Sequence, residues 1–480
     1  MQDSTYSTVG LESEGLLFTG DSEMESQKAG GLSVLQYLIV LGVAGFISLT
    51  IIYFCRLIDA TFVGLTVAGI ILVGLTLWRV EVGLFILVAL VPWEMQSMLS
   101  SSFTAVKAVG AVVAPIGLIF CINSRGPRWP SAFKAAFCLG IWAMFGSIAY
   151  ASVPSLWYLS SLLLNISMAY LIMRFTSKPA AMYALLIVLV LSSLAQAIWG
   201  LAGYSGGMSE GTRMSVAGDT SEDVNINTYV RYLFPAIFLV PALMARAKLW
   251  ALRLLLLPVM GIGLLAAVLT VSRGASLGIV VGAFVLLMTC RFRWHTKLGV
   301  VIGAVILVGG ALLVANSLGA MDVWVNRISG KTFWDDLDTR FALWGTALRI
   351  GLDHPILGVG MGNEFYHYYM AGFARAAPHN DILAAFMLTG FPGLTMFITL
   401  VALVTVSLWR MSRGMMRSCQ LGMWIAMLIT GLFNPSFTTK VFWVNVGICL
   451  IAAICDREER EARELQDYHL AMLSQELVNR

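Results

Sequence analysis

The sequence predicts an all-α fold, a polytopic bundle of transmembrane helices, on three observations. Hydrophobic residues make up 58% of the 480 positions and charged residues 12%, whereas a soluble domain carries roughly 45–50% apolar and about 25% charged residues. Apolar runs of about 20 residues, the length that crosses a hydrocarbon layer as a helix, recur from the region of Leu32 to Cys455. Runs such as 254–271 do not alternate apolar and polar residues, which excludes a membrane barrel.

In chain order, spans are expected at roughly 34–54, 58–78, 82–99, 104–122, 135–151, 155–173, 180–202 and 228–245. Further spans are expected at roughly 254–271, 274–290, 298–316, 382–409, 418–434 and 441–455, a bundle of about 12–14 in all. An even total places both termini on one side. Alternate short loops are rich in Lys and Arg: Arg125, Arg128 and Lys134, then Arg174 and Lys178, then Arg246, Lys248 and Arg253, then Arg291, Arg293 and Lys297, then Arg410, Arg413 and Arg417. Cytoplasmic loops retain positive charge, so these loops and both termini are expected in the cytoplasm and the two long loops, 203–227 and 317–379, outside.

Four segments follow. Residues 1–31 carry Asp3, Glu12, Glu14, Asp21, Glu23 and Glu25 without a basic leader region, and are expected to be a disordered acidic tail rather than a cleavable signal peptide. Residues 32–202 form an N-terminal bundle, 203–455 a module holding both long loops, and 456–480 a C-terminal tail. In that tail Leu465, Leu470, Met472 and Leu473 have the spacing of a surface helix, but a solvated terminus is the favoured reading.

The seven cysteines lie in or beside apolar runs without paired spacing and read as small hydrophobes. No Cys or His cluster has metal-ligand spacing, and no Gly-rich loop matches a nucleotide-binding signature. No cofactor, metal or nucleic-acid partner is expected.

Chemistry is expected in the outward loops and in polar residues near the membrane, where a charge is costly and rarely purposeless. The loop 203–227 is dense in polar groups, among them Arg213, Asp219, Asn225 and Asn227, and Arg231 just inside the next span can simply snorkel outward. Ser272, Arg273 and Gly274 separate two apolar stretches with almost no loop between them. There an arginine either reaches headgroups or grips phosphate oxygens in a fork. In the segment 317–379, Phe341, Trp344 and Leu348 follow Arg340 on one helical face, the pattern of a helix lying at a membrane surface or of ordinary core packing. A turn-rich stretch with Gly358, Gly360 and Gly362 follows, and Pro378, His379, Asn380 and Asp381 open the next helix. Asn380 or Asp381 can cap that helix and bias the imidazole of His379. Arg213, Arg273 and His379 map to the same membrane face, and two fixed cations with a titratable base suit a diphosphate and a hydroxyl nucleophile.

The stretches TVSRGASLG (270–278), RFALWGTALRIGLDHPILGVGMGN (340–363) and PHNDILAAFMLTGFPGL (378–394) resemble the O-antigen ligase and polymerase family, in the family's order. Arg213 and residues 225–227 are similar to the polar loop that precedes this module. The resemblance implies a GT-C-like membrane fold and a bacterial inner-membrane glycosyltransferase working on the periplasmic side. It implies en bloc transfer of a glycan from undecaprenyl diphosphate to a glycan or lipid A-core acceptor, without a nucleotide sugar or a metal. By the same resemblance Arg213 and Arg273 bind the lipid diphosphate and His379 activates the acceptor hydroxyl for an inverting attack. Arg340, Asn380 and Asn225 are further substrate-binding candidates, and a flippase and a chain-length regulator are implied partners.

Two functions within the family remain open, ligation of finished O-antigen and polymerisation of repeat units. The acidic extension and the spans beyond the family's usual twelve lean toward an exopolysaccharide polymerase. A transporter or precursor flippase is the alternative from another class, but it should carry functional charges deep inside its spans, whereas here the charged candidates gather at outer helix ends.

Overall fold

A computed structural model of the protein describes residues 61–94, 104–122, 129–203, 226–291, 293–317, 325, 331–373 and 378–478. Every regular element of three or more residues among them is helical. The first half contains α1 (Thr61–Trp78), α2 (Val80–Leu90), α3 (Ala105–Ile122), α4 (Ser131–Ala149), α5 (Val153–Phe175) and α6 (Pro179–Gly203). The second half contains α7 (Ile226–Phe238), α8 (Val240–Arg246), α9 (Trp250–Leu269), α10 (Arg273–Thr289) and α11 (Trp294–Ser317). It continues with α12 (Lys331–Asp353), α13 (Glu364–Met370), α14 (Asp381–Trp409), α15 (Met415–Gly431) and α16 (Lys440–Val478).

Among the described residues, eight helical stretches are long and apolar enough to cross a membrane, α7 and α8 counting together as Asn227–Arg246. The chain is thus a multi-pass α-helical membrane protein. The expected span 34–54 and the end of the span expected at 82–99 lie outside the described residues, the helix over 441–455 runs on to Val478, and the other expected spans fall on helices within a few residues of their ends. One boundary moves with consequence. The span expected at 418–434 ends at Gly431, so Phe433 and Asn434 belong to a turn running to Thr439 instead of to the membrane helix.

Burial orders the spans from centre to rim. Asn227–Arg246 is 72% buried and lies at the centre, packed against α6, α9 and α15, while Lys297–Ser317 is 12% buried and turns Val305, Ile306 and Leu313 outward. Apolar surface of that extent requires lipid around it. Two close contacts fix the module that carries the candidate site. Helices α10 and α15 approach until a Cβ on Gly282 would stand 2.5 Å from the Gly422 carbonyl and one on Gly278 2.8 Å from that of Ala426, so backbone rests on backbone along their length.

The second contact joins the halves. Helix α14 breaks at Gly390 (φ +69°), two residues before Pro392, which cannot donate to the carbonyl of Leu388. The turn-rich stretch after His354 fills the break: Val359 N–H donates to Met387 O at 2.9 Å, Gly360 N–H to Leu388 O at 3.1 Å, and Phe391 N–H to Pro355 O at 2.8 Å. Trp142 of α4 adds its Nε1–H to Thr389 O at 2.9 Å. Asn363 closes the loop onto the α4–α5 turn, donating to the carbonyl of Tyr150 at 3.0 Å and accepting from Ser152 Oγ at 2.7 Å. The glycine-rich motif thus satisfies polar backbone that the apolar layer could not leave exposed.

On α12, Leu343, Ala347 and Ile350 are buried, while Phe341 and Leu348 are 55% and 46% exposed. Phe341 and Leu348 therefore look outward, which fits a surface-lying helix, while Trp344 between them is partly buried, with its Nε1 inside, and packs inward. Helix α16 runs unbroken past Cys455, its second half exposed and carrying Arg457–Glu461 and Arg463–Glu459 pairs one helical turn apart.

Candidate active site

Three chain-distant segments meet at the turn after α15. The first is the Ser-Arg-Gly turn. Ser272 caps α10 by accepting from Ala275 N–H at 3.3 Å, and its hydroxyl donates to Asn227 Oδ1 at the start of α7. A Cβ on Gly274 would stand 2.7 Å from the side chain of Phe433, so glycine is what lets the Ser-Arg-Gly turn, with its half-buried Arg273, pack against that residue. The second is Arg340 of α12, whose Nη1 donates to Phe433 O at 3.3 Å and whose guanidinium lies 5.9 Å from the same ring centre. The third is His379, whose Nδ1 is 3.3 Å from Asn434 Oδ1.

Backbone strain marks the same places. Among the described residues two non-glycines have positive φ, Val271 at +52° and His379 at +48°. For a β-branched residue this is a genuine outlier, and such strain persists where surroundings over-determine it, often at functional sites. Here it aims the residues on either side of Phe433–Asn434.

An amide oxygen can only accept, so His379 Nδ1 carries the hydrogen and Nε2 keeps its lone pair. Burial pushes the imidazole below its ordinary pKa and the nearby Arg340 charge lowers it further, while the bond to Asn434 pulls the other way. The balance favours a neutral ring with one basic nitrogen near neutral pH.

The turn is held from two more sides. Arg231, expected to snorkel outward, is instead fully buried: its Nη groups donate to the carbonyls of Pro435 (3.1 Å), Thr430 (3.2 Å) and Asn434. Asp381 accepts from the N–H groups of Ser436 and Phe437 and from the Ser436 hydroxyl. Of the two expected caps it is therefore Asn380 that caps α14, accepting from Ile382 and Leu383 N–H at 2.9 and 3.1 Å, while its Nδ2 donates to Leu432 O at 3.3 Å.

Residues 258–398 match the family model described as O-antigen ligase. This is the family to which the motifs point, and the matched segment carries Arg273, Arg340, His379 and Asn380. It supports a ligase- or polymerase-type role in polysaccharide biosynthesis. The segment covers under a third of the chain and stops short of Arg231, Phe433 and Asn434. No curated protein matches the chain.

The Ser272–Arg273–Gly274 turn, Arg340 and His379 thus gather around one turn, while Arg213 and Asn225 lie outside the described residues. Sequence reasoning missed Phe433 and Asn434 by placing them at the end of a span. The available signal was the Asn434–Pro435 pair, a turn dipeptide closing an apolar run.

Proposed function

We propose that the protein is a lipid-carrier-dependent inverting glycosyltransferase of the inner membrane, with the Phe433–Asn434 turn at its periplasmic active site. The observation that carries this reading is the convergence of Arg273, Arg340 and His379 on that turn. The donor is a glycan on undecaprenyl diphosphate. Nε2 of His379 takes the proton of an acceptor hydroxyl as its oxygen attacks the anomeric carbon. The bond from that carbon to the phosphate oxygen breaks, and its electron pair leaves with the diphosphate. Arg273, with Arg213, meets the growing negative charge, and an arginine suits this because it keeps its proton. Arg340 tunes His379, and Asn380 fixes the helix start beside it.

Polymerisation of repeat units is favoured over ligation to lipid A-core, on the acidic extension before the first span and the spans that the sequence predicts beyond the family's usual twelve. The test is complementation of a polysaccharide-deficient deletion strain with wild type and His379→Ala, with lipid-linked intermediates and polymer profile read together. Loss of a general base lowers turnover about 10²–10⁴-fold, so the variant is expected to abolish product while reaching the membrane normally. Single lipid-linked units accumulating without polymer identify a polymerase. Long chains retained on the carrier and missing from lipopolysaccharide identify a ligase. Wild-type product from the variant overturns the reading.

A further inference from the structure

Arg231 is a charged residue for which the proposed reaction has no use, and it is fully buried at the centre of the bundle. A buried guanidinium is a liability that an apolar side chain of similar volume would remove, so its presence calls for a function. Its geometry supplies one. Three carbonyls, that of Thr430 at the end of α15 and those of Asn434 and Pro435 in the turn after it, accept from its two Nη groups, leaving Nε without a hydrogen-bond partner among the described residues. One helical turn earlier on the same face, Thr228 Oγ1 accepts from Asn434 Nδ2 at 3.2 Å. Helix α7 therefore holds Asn434 twice, by its backbone through Arg231 and by its amide through Thr228. Asp381, the electrostatic partner of Arg231, binds the next two residues of the turn.

We infer that Arg231 is a positioning residue that, with Thr228, presents the Oδ1 of Asn434 to His379 and so fixes the imidazole tautomer that leaves Nε2 basic. The inference rests on the function proposed for His379. It adds a residue outside the matched family segment that acts without touching substrate, and it ties the His379 site to α7, the helix that follows the loop bearing Arg213.

The test separates geometry from chemistry. Full-length protein labelled at its five histidines is titrated by NMR in lipid nanodiscs, with the His379 signal assigned by its loss in His379→Ala. Turnover is followed with lipid-linked glycan extracted from the deletion strain. Arg231→Lys keeps the charge and loses the fork, so the His379 pKa is expected to fall and kcat to drop at least tenfold, with KM little changed. In an Asn434→Ala background the same substitution is expected to change neither quantity further, because residues acting through one intermediary are not additive. An unchanged His379 titration in Arg231→Lys, full turnover, or additive losses in the double variant would overturn the inference. If Arg231→Lys does not accumulate, Thr228→Val must reproduce the His379 shift, and a wild-type titration there overturns the inference equally. Wild-type turnover in His379→Ala would defeat the proposed function instead, while the titration would still report the geometry.

Discussion

His379 Nδ1 lies 3.3 Å from Asn434 Oδ1, and this contact ties the start of α14 to the turn after α15 across 55 residues of chain. Because the amide oxygen accepts, the bond favours the imidazolium over the neutral ring. Asn434→Ala is expected to lower the His379 pKa and move the acid limb of the pH–rate profile to lower pH. Turnover at the plateau is expected to fall about tenfold or more as the ring loses its fixed tautomer. Asn434→Asp, with a carboxylate in the same place, is expected to move the limb to higher pH. A pH–kcat profile of each variant decides the matter, and limbs that coincide with wild type would remove Asn434 from the site.

Arg340 acts on the same imidazole with the opposite sign. Its charge disfavours the imidazolium and lowers the His379 pKa. Arg340→Met is therefore expected to raise that pKa, so activity that requires the neutral ring is lost earlier as pH falls. At high pH the neutral ring predominates in both proteins, and the remaining deficit measures what Arg340 contributes through Phe433 or through substrate. Profiles that differ only by a constant factor would mean that Arg340 does not tune the histidine.

The spans from 82 onward were legible because lipid imposes a length and a composition on each of them. The Ser272–Arg273–Gly274 turn and the start of α14 at His379 and Asn380 were legible too, because capping and turn chemistry are local. What could not be read was set by partners far along the chain. Nothing near Arg231 in sequence shows that three carbonyls some 200 residues later will surround it. Nor does anything near Gly358 show that the loop will fill a break in α14. Phe433 and Asn434 were hidden by a local error, a span boundary drawn a few residues late.

Gly390 tests the break in α14. Its φ is +69°, and a Cβ there would lie 2.2 Å from the carbonyl oxygen of Ile356. Gly390→Ala is expected to destabilise the protein by more than about 3 kcal/mol, adding backbone strain to a collision with backbone that cannot rotate away. Gly345, exposed within α12 with nothing within 4 Å of its would-be Cβ, provides the control. Gly345→Ala is expected to stabilise by about 0.5–1 kcal/mol, since alanine loses less backbone freedom in a helix. Thermal midpoints in detergent that rank these variants the other way would refute the account of the break.

Glu364 makes stability depend on pH in a direction unusual for a carboxylate. It opens α13 just after the glycine-rich loop, it is buried, and its Oε2 has no hydrogen-bond partner among the described residues. Burial pushes its carboxyl up to about 7, while backbone N–H groups pull it down. A folded pKa above the unfolded one means that the native state holds the proton more tightly. Stability is then greatest below the unfolded value of about 4.5, declines as pH rises, and has lost the whole contribution above about 7. At one pKa unit per roughly 1.4 kcal/mol, the loss is on the order of 3 kcal/mol. Glu364→Gln is neutral throughout and is expected to flatten this dependence, so the variant gains on wild type between pH 5 and pH 8 even if its amide packs less well. Thermal midpoints measured across that range give the answer directly, and parallel curves for the two proteins would mean that Glu364 is already ionised in the folded state.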